Sequence, residues 1–301
     1  MKTIIINTKL YKNPYFIFAP FFVLYIAIAI IFFNEVIDGD ALRYITFTKN
    51  LLNGYYSTPP PKILLTSGPG YPIILMPFIG LKLPSICIPL FNALLYYLSI
   101  IFIYKGLIII SEYRIALIIS FFWACYINNY EFIPTAMMEI FAIFLVSLLV
   151  YSLIRAFNLN NSNNNNNNSK SFLIISGLTF GYIVLTKFIF GYVLLIMIIG
   201  TTILWIFNRK SINYRKGIFI LIIAFVINIP YLIYTYNLTG KVLYWGTAAG
   251  DTLYWMSTPY ESEYGDWRAW DGEYGDWNEG NGNSYEKDSF VLNHKKDHDK
   301  V

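Results

Sequence analysis

Apolar residues run along this chain in long, nearly unbroken blocks rather than in alternation. The first block, Tyr15 to Phe33, comes close to the roughly 20 residues needed to cross a hydrocarbon core. Six more follow: Leu83–Ile110, Ile115–Ile127, Met137–Ile154, Phe172–Thr186, Phe188–Phe207 and Ile218–Tyr236. Two are short, and Phe172–Phe207 also reads as one long re-entrant element. The pattern predicts an all-α polytopic membrane protein with about seven transmembrane helices.

The charges between the blocks orient them. Lys2, Lys9 and Lys12 precede the first block and Asn34-Glu35 follows it. This predicts a retained signal anchor, with residues 1–14 in the cytoplasm. Lys105 and Arg114, then Arg155 and Lys170, then Arg209, Lys210, Arg215 and Lys216 fall in the expected cytoplasmic connections. Glu131 and Lys187 fall in the opposite turns. The expected organisation is a membrane module over 15–236, with an outer loop at 34–71 and an Asn-rich cytoplasmic loop at 157–170. An acidic, aromatic tail over 237–301 lies on the luminal or extracytoplasmic side. The Asn tract cannot bury apolar surface and is expected to be disordered.

Composition agrees with a bilayer as solvent. Of 301 residues, 56% are apolar and 13% charged, against roughly 45–50% and 25% in soluble domains. The net charge of +4 splits unevenly. Residues 1–244 hold 17 Lys+Arg against 6 Asp+Glu, whereas residues 245–301 hold 5 against 12. The positive charge is scattered between apolar blocks, so no nucleic-acid partner is expected. Cys87 and Cys125 lie in apolar runs and read as small buried core residues, with no disulfide framework.

Candidate chemistry gathers in the first outer loop. Glu35, Asp38 and Asp40 place three carboxylates within six residues at a membrane end. The apolar spacing from Ala41 to Leu52 predicts a short interfacial helix with Asp40 as its N-cap. On that reading Asp40 only caps and Asp38 is solvated. On the functional reading, carboxylates beside a lipid-embedded substrate act as a general base or as metal ligands. Ser67-Gly68-Pro69-Gly70-Tyr71-Pro72 predicts a rigid turn before the next apolar block.

Together these residues resemble the GT-C glycosyltransferases, and more narrowly the protein O-mannosyltransferase and ArnT-like branch. The resemblance rests on Asp40, Tyr44, Leu51-Leu52-Asn53-Gly54 and Pro69-Gly70-Tyr71-Pro72. Pro134 and Glu139 ahead of Phe141 add to it, as do Gly177, Gly181, Thr186-Lys187 and the aromatic stretch from Tyr244 to Trp267. Many members of that family carry Asp-Glu in the first loop and continue into further spans. This chain has Asp40-Ala41, with Asp38 two residues earlier, and reads as a shortened product.

The resemblance implies inverting transfer of a hexose, such as mannose, from a polyprenyl- or dolichyl-phosphate to an acceptor hydroxyl. It implies Asp40 and Asp38 as catalytic carboxylates, or as ligands of a divalent cation if one is used. Arg43, Lys187 and Glu139 would line the donor phosphate and lipid pocket. Tyr44, Tyr71, Trp255 and Trp267 would contact acceptor or sugar. Snorkelling of Arg43, interface anchoring of Lys187 and a Glu139–Lys187 ion pair are the plain structural alternatives. The implied setting is the endoplasmic reticulum, another endomembrane or the plasma membrane, with membrane lipids as partners. In the tail, Glu263-Tyr264-Gly265-Asp266-Trp267 returns as Glu273-Tyr274-Gly275-Asp276-Trp277. Aromatic faces and carboxylates there suit carbohydrate. The competing reading is a non-catalytic accessory subunit or a transporter-like carrier. A carrier would show ionisable or Gly/Pro-broken positions within its spans, and these blocks are nearly free of charge.

Overall fold

The computed structural model describes residues 13–37, 39–57, 63–158, 166–209 and 211–246. Asp38 and the tail positions Trp255 and Trp267 lie outside them, as do both copies of the tail repeat. The chain divides into two units, 1–56 with 67–245, and 57–66 with 246–301. In the described part of the second, the Leu64 amide donates to the Ser57 hydroxyl at 2.7 Å.

The first unit is helical throughout its regular elements. Its helices are α1 (Pro14–Ile17), α2 (Ala19–Ile31), α3 (Gly39–Leu52), α4 (Gly70–Gly80), α5 (Cys87–Ile110), α6 (Tyr113–Ala124), α7 (Glu139–Asn158), α8 (Asn166–Thr186), α9 (Ile189–Phe207) and α10 (Ile212–Thr239). A 3-10 segment, Ile127–Phe132, lies between α6 and α7. Each of the seven apolar blocks coincides with a helix. Among the described residues, four of these, in α5, α7, α9 and α10, are long and apolar enough to cross a membrane. The first block is broken at Phe18 because Pro20 cannot donate into the preceding turn. The protein is an all-α polytopic membrane protein.

Three expectations shift. The Pro-Gly turn at 69–72 is the start of α4, an 11-residue helix of about 16 Å that is too short to cross a bilayer. The Asn tract is helical at both ends, since Asn158 closes α7 and Asn166 opens α8, with 159–165 outside the described residues. Cys87 is half-buried and Cys125 exposed, so neither is a sealed core thiol.

Packing runs from helix to helix: α2 on α5, α5 on α7, α7 on α8, α8 on α10, and α10 on α9. Without water to favour apolar burial between spans, close approach through small residues holds such helices together. Gly177 and Gly181, one turn apart on α8, supply it against α10. A Cβ at Gly177 would stand 2.6 Å from the Ile223 Cβ, and one at Gly181 would stand 2.9 Å from the Ala224 carbonyl oxygen. Asn228 of α10 is fully buried beside them and satisfied. Its amide donates to the carbonyls of Gly181 (3.1 Å) and Ala224 (2.8 Å), and its oxygen accepts from the Trp245 indole at 3.3 Å.

α6 ends after 12 residues, leaving its last carbonyls without helical partners. Tyrosine hydroxyls from three other elements take them. Tyr25 and Tyr130 donate to Ala124 at 2.7 Å each, and Tyr96 donates to Trp123 at 2.9 Å. Asn129 in turn donates to the Tyr96 hydroxyl at 3.2 Å.

Candidate functional site

α3 forms because its apolar residues recur at helical spacing, burying Tyr44, Ile45, Phe47 and Thr48 on one face. The chain enters it through Gly39, whose φ of +52° is the left-handed conformation glycine adopts cheaply. Asp40 therefore sits in the first turn rather than at the N-cap, where an acid still complements the helix dipole. The Thr48 hydroxyl donates to the Tyr44 carbonyl at 2.8 Å and to the Pro72 carbonyl at 3.2 Å, joining α3 to α4.

The second wall comes from the helix break between α8 and α9. Lys187 occupies that break, its amide still bonded to the Ile183 carbonyl at 2.8 Å. The Gly68–Gly70 turn lies hard against the last turn of α8. A Cβ at Gly68 would overlap the Leu185 carbonyl oxygen, and one at Gly70 would overlap the Thr186 hydroxyl. Tyr182 closes the junction by donating to the Gly70 carbonyl at 2.9 Å.

Six of the expected site residues are tied together at this end of the unit. The Arg43 guanidinium holds Asp40 at 2.6 Å, and Lys187 stands 3.8 Å from Glu139 at the head of α7. The Glu139–Lys187 ion pair weighed as a structural alternative is therefore present. Tyr44 and Tyr71 meet edge-on with ring centres 5.3 Å apart. Tyr71 continues to Phe141 at 6.0 Å, and Phe141 to Tyr182 at 5.7 Å. Phe141 lies two residues beyond Glu139, so the aromatic chain runs beside that ion pair. Tyr44 is 1% exposed and hydrogen-bonded to Ser67. Its ring packs edge-on against Tyr71, which is equally buried.

Burial pushes the Tyr44 hydroxyl above its ordinary pKa, with Glu139 and then Asp40 adding to the rise and Arg43 opposing it. Burial pushes Tyr71 up as well, assisted by Tyr44 and Glu139. Both tyrosines are neutral hydrogen-bonding groups at neutral pH. Three atoms of the cluster are buried without a hydrogen-bond partner among the described residues: Arg43 Nε, the Tyr71 hydroxyl and Glu139 Oε2. Each such atom costs about 1–3 kcal/mol. An Asp–Arg pair at i,i+3 returns only about 0.2–0.5 kcal/mol. The arrangement is thus costly for stability and suited to a polar, partly anionic occupant.

No group of three or more His, Cys, Asp or Glu comes together among the described residues. The carboxylates of the cluster that are described, Asp40 and Glu139, each face a cation instead. A separate cavity of about 190 Å³ lies beside the start of α3, bounded by Phe32, Ile37, Ala41, Ile88 and Pro134 among others. Among the described residues its wall carries no charged side chain, whereas the ion-pair cluster gathers four, and that cluster is taken as the candidate site. Tyr182 is a structural member that no local pattern had marked, and Gly68, expected only as a turn residue, is held against α8 as well.

No family model matches the sequence, and no curated protein matches it. Among solved structures, the chain is similar to one in the Saccharomyces cerevisiae protein O-mannosyltransferase Pmt1-Pmt2 complex bound to its sugar donor. The TM-score is 0.55 at 15% identity, over 78% of this chain and 36% of that one. Over that span the chain shares the helical fold of that structure. At this identity the likeness is one of fold alone, and the chain spans about a third of the neighbour's length.

Proposed function

We propose that this protein is a membrane glycosyltransferase that moves a hexose from a polyprenyl-phosphate donor to an acceptor hydroxyl. The observation that carries the reading is the cluster of Asp40, Arg43, Tyr71, Glu139 and Lys187. It sets two cations, two carboxylates and unpartnered polar atoms at one end of a GT-C bundle.

In the proposed reaction Asp40 accepts the proton of the acceptor hydroxyl as its oxygen bonds to the anomeric carbon. The bond from that carbon to the phosphate oxygen breaks, and polyprenyl phosphate leaves with inversion at the sugar. Arg43 and Lys187 take the charge that grows on the leaving phosphate. The side chain of Asp40 is about half exposed, open to an incoming acceptor, whereas Arg43 and Glu139 are more enclosed. Asp38, the second carboxylate or cation ligand expected here, lies outside the described residues.

The test is sugar transfer from a polyprenyl-phosphate hexose in membranes carrying the wild type or Asp40→Asn. Loss of transfer by about 10²-fold or more in the variant supports the base role. Equal transfer removes it, and no transfer by the wild type from any such donor returns the chain to the accessory-subunit reading.

A further inference from the structure

Among the described hydroxyls on α3, α4 and α8 around the cluster, that of Tyr71 is uncommitted. Tyr182 donates to Gly70, Thr186 donates to the Tyr182 carbonyl at 2.8 Å, Thr48 bonds two carbonyls, and Tyr44 is bonded to Ser67. Tyr71, 1% exposed, has no partner for its hydroxyl among the described residues. On the adjoining helix head, Glu139 splits its carboxylate. Oε1 faces Lys187 at 3.8 Å, and Oε2 is buried with no partner among the described residues. Tyr71 reaches this helix through its ring contact with Phe141.

The two unpartnered groups have complementary needs. A phenol donates one hydrogen bond, and a carboxylate only accepts. A phosphate oxygen would satisfy the phenol but meet Glu139 as a like charge. An apolar tail would leave both unpaired, at about 1–3 kcal/mol for each. A neutral hydroxyl meets both needs, since it donates and accepts at once. We propose that Tyr71 and Glu139 read one hydroxyl of the transferred sugar, which donates to Glu139 Oε2 and accepts from Tyr71. The phosphate falls to Arg43, whose Nε is the third unpartnered atom. The pair therefore makes the site selective for a sugar bearing that hydroxyl, because a site built to bond a hydroxyl rejects the analogue that lacks it. This rests on the transferase reading, which supplies both the sugar and its carrier.

The test is binding to the intact chain in lipid nanodiscs, with bare polyprenyl phosphate, a polyprenyl-phosphate hexose and its monodeoxy analogues as probes. One monodeoxy analogue is expected to lose about ten- to a hundredfold in Kd. Tyr71→Phe, which keeps the ring, loses a similar factor on the parent hexose and nothing further on that analogue. Glu139→Leu, which removes the acceptor, behaves in the same way. If every monodeoxy analogue binds like the parent, the proposal is overturned. It is also overturned if Tyr71→Phe weakens all probes equally, bare polyprenyl phosphate included. Binding of bare phosphate without any gain from the hexose sinks this inference and spares the transferase reading. Binding of none of the probes sinks both.

Discussion

The Tyr182 hydroxyl donates a 2.9 Å hydrogen bond to the Gly70 carbonyl, joining α8 to a turn 112 residues earlier in the chain. That bond and the two glycines beside it fix the distance between the first loop and Lys187. Gly68→Ala forces a methyl group into the Leu185 carbonyl. It is expected to lower stability by about 1–3 kcal/mol and to reduce transfer. Tyr182→Phe removes one hydrogen bond and costs about 1 kcal/mol. Thermal melts of the purified proteins in one detergent separate the two cases.

Asp40→Asn has an effect beyond the loss of a base. With the carboxylate gone, Arg43 is released from its 2.6 Å ion pair and is free to meet a phosphate. Polyprenyl phosphate is expected to bind this variant at least as tightly as the wild type while transfer falls. Arg43→Gln should weaken binding instead. Titration of both variants with polyprenyl phosphate checks the pair, and weaker binding by Asp40→Asn contradicts it.

Lys187→Gln leaves Glu139 without its cation, while Glu139→Gln removes the charge that needs one. The side chains are 36% and 24% exposed, so the pair itself contributes little. The single variant Lys187→Gln is expected to cost more stability than the double variant. A double-mutant cycle from unfolding data measures the difference, and strict additivity of the two changes tells against coupling.

Tyr44 and Tyr71 carry pKa values above 10 because burial disfavours the phenolate, with nearby groups adding to the effect. The folded state therefore holds these protons more tightly than the unfolded chain. That stability is present in full below pH 10 and is lost as the pH rises from 10 through the raised folded values. Melting temperatures measured between pH 8 and 11 should fall more steeply for the wild type than for Tyr44→Phe/Tyr71→Phe. Parallel curves would contradict the assignment.

Much of this was legible along the chain, because the bilayer asks for long apolar blocks and each block became a helix. The exceptions have physical causes. α4 hid because Pro69, Gly70 and Pro72 read as turn residues, yet proline fits a helix's first turn, where no amide partner is needed. Asp40 moved from cap to first turn because Gly39 could adopt a positive φ and start the helix earlier. Arg43 and Asp40, three residues apart, were visible as neighbours on a helix. The Tyr182 contact was not, since a tyrosine within an apolar helix announces no partner over 112 residues. Gly177 and Gly181 were noticed as part of a resemblance, and their contacts with Ile223 and Ala224 supply the mechanical reason for them.

The three tyrosines that cap α6 also bear on the order of assembly. Tyr25 and Tyr96 leave the ribosome before Ala124, so two of the donors for that helix end already exist when the helix is made. Tyr130 follows six residues later. A 12-residue helix of about 18 Å gains little from lipid by itself. Its place is prepared by α2 and α5, and variants that delay those helices should strand α6 during insertion.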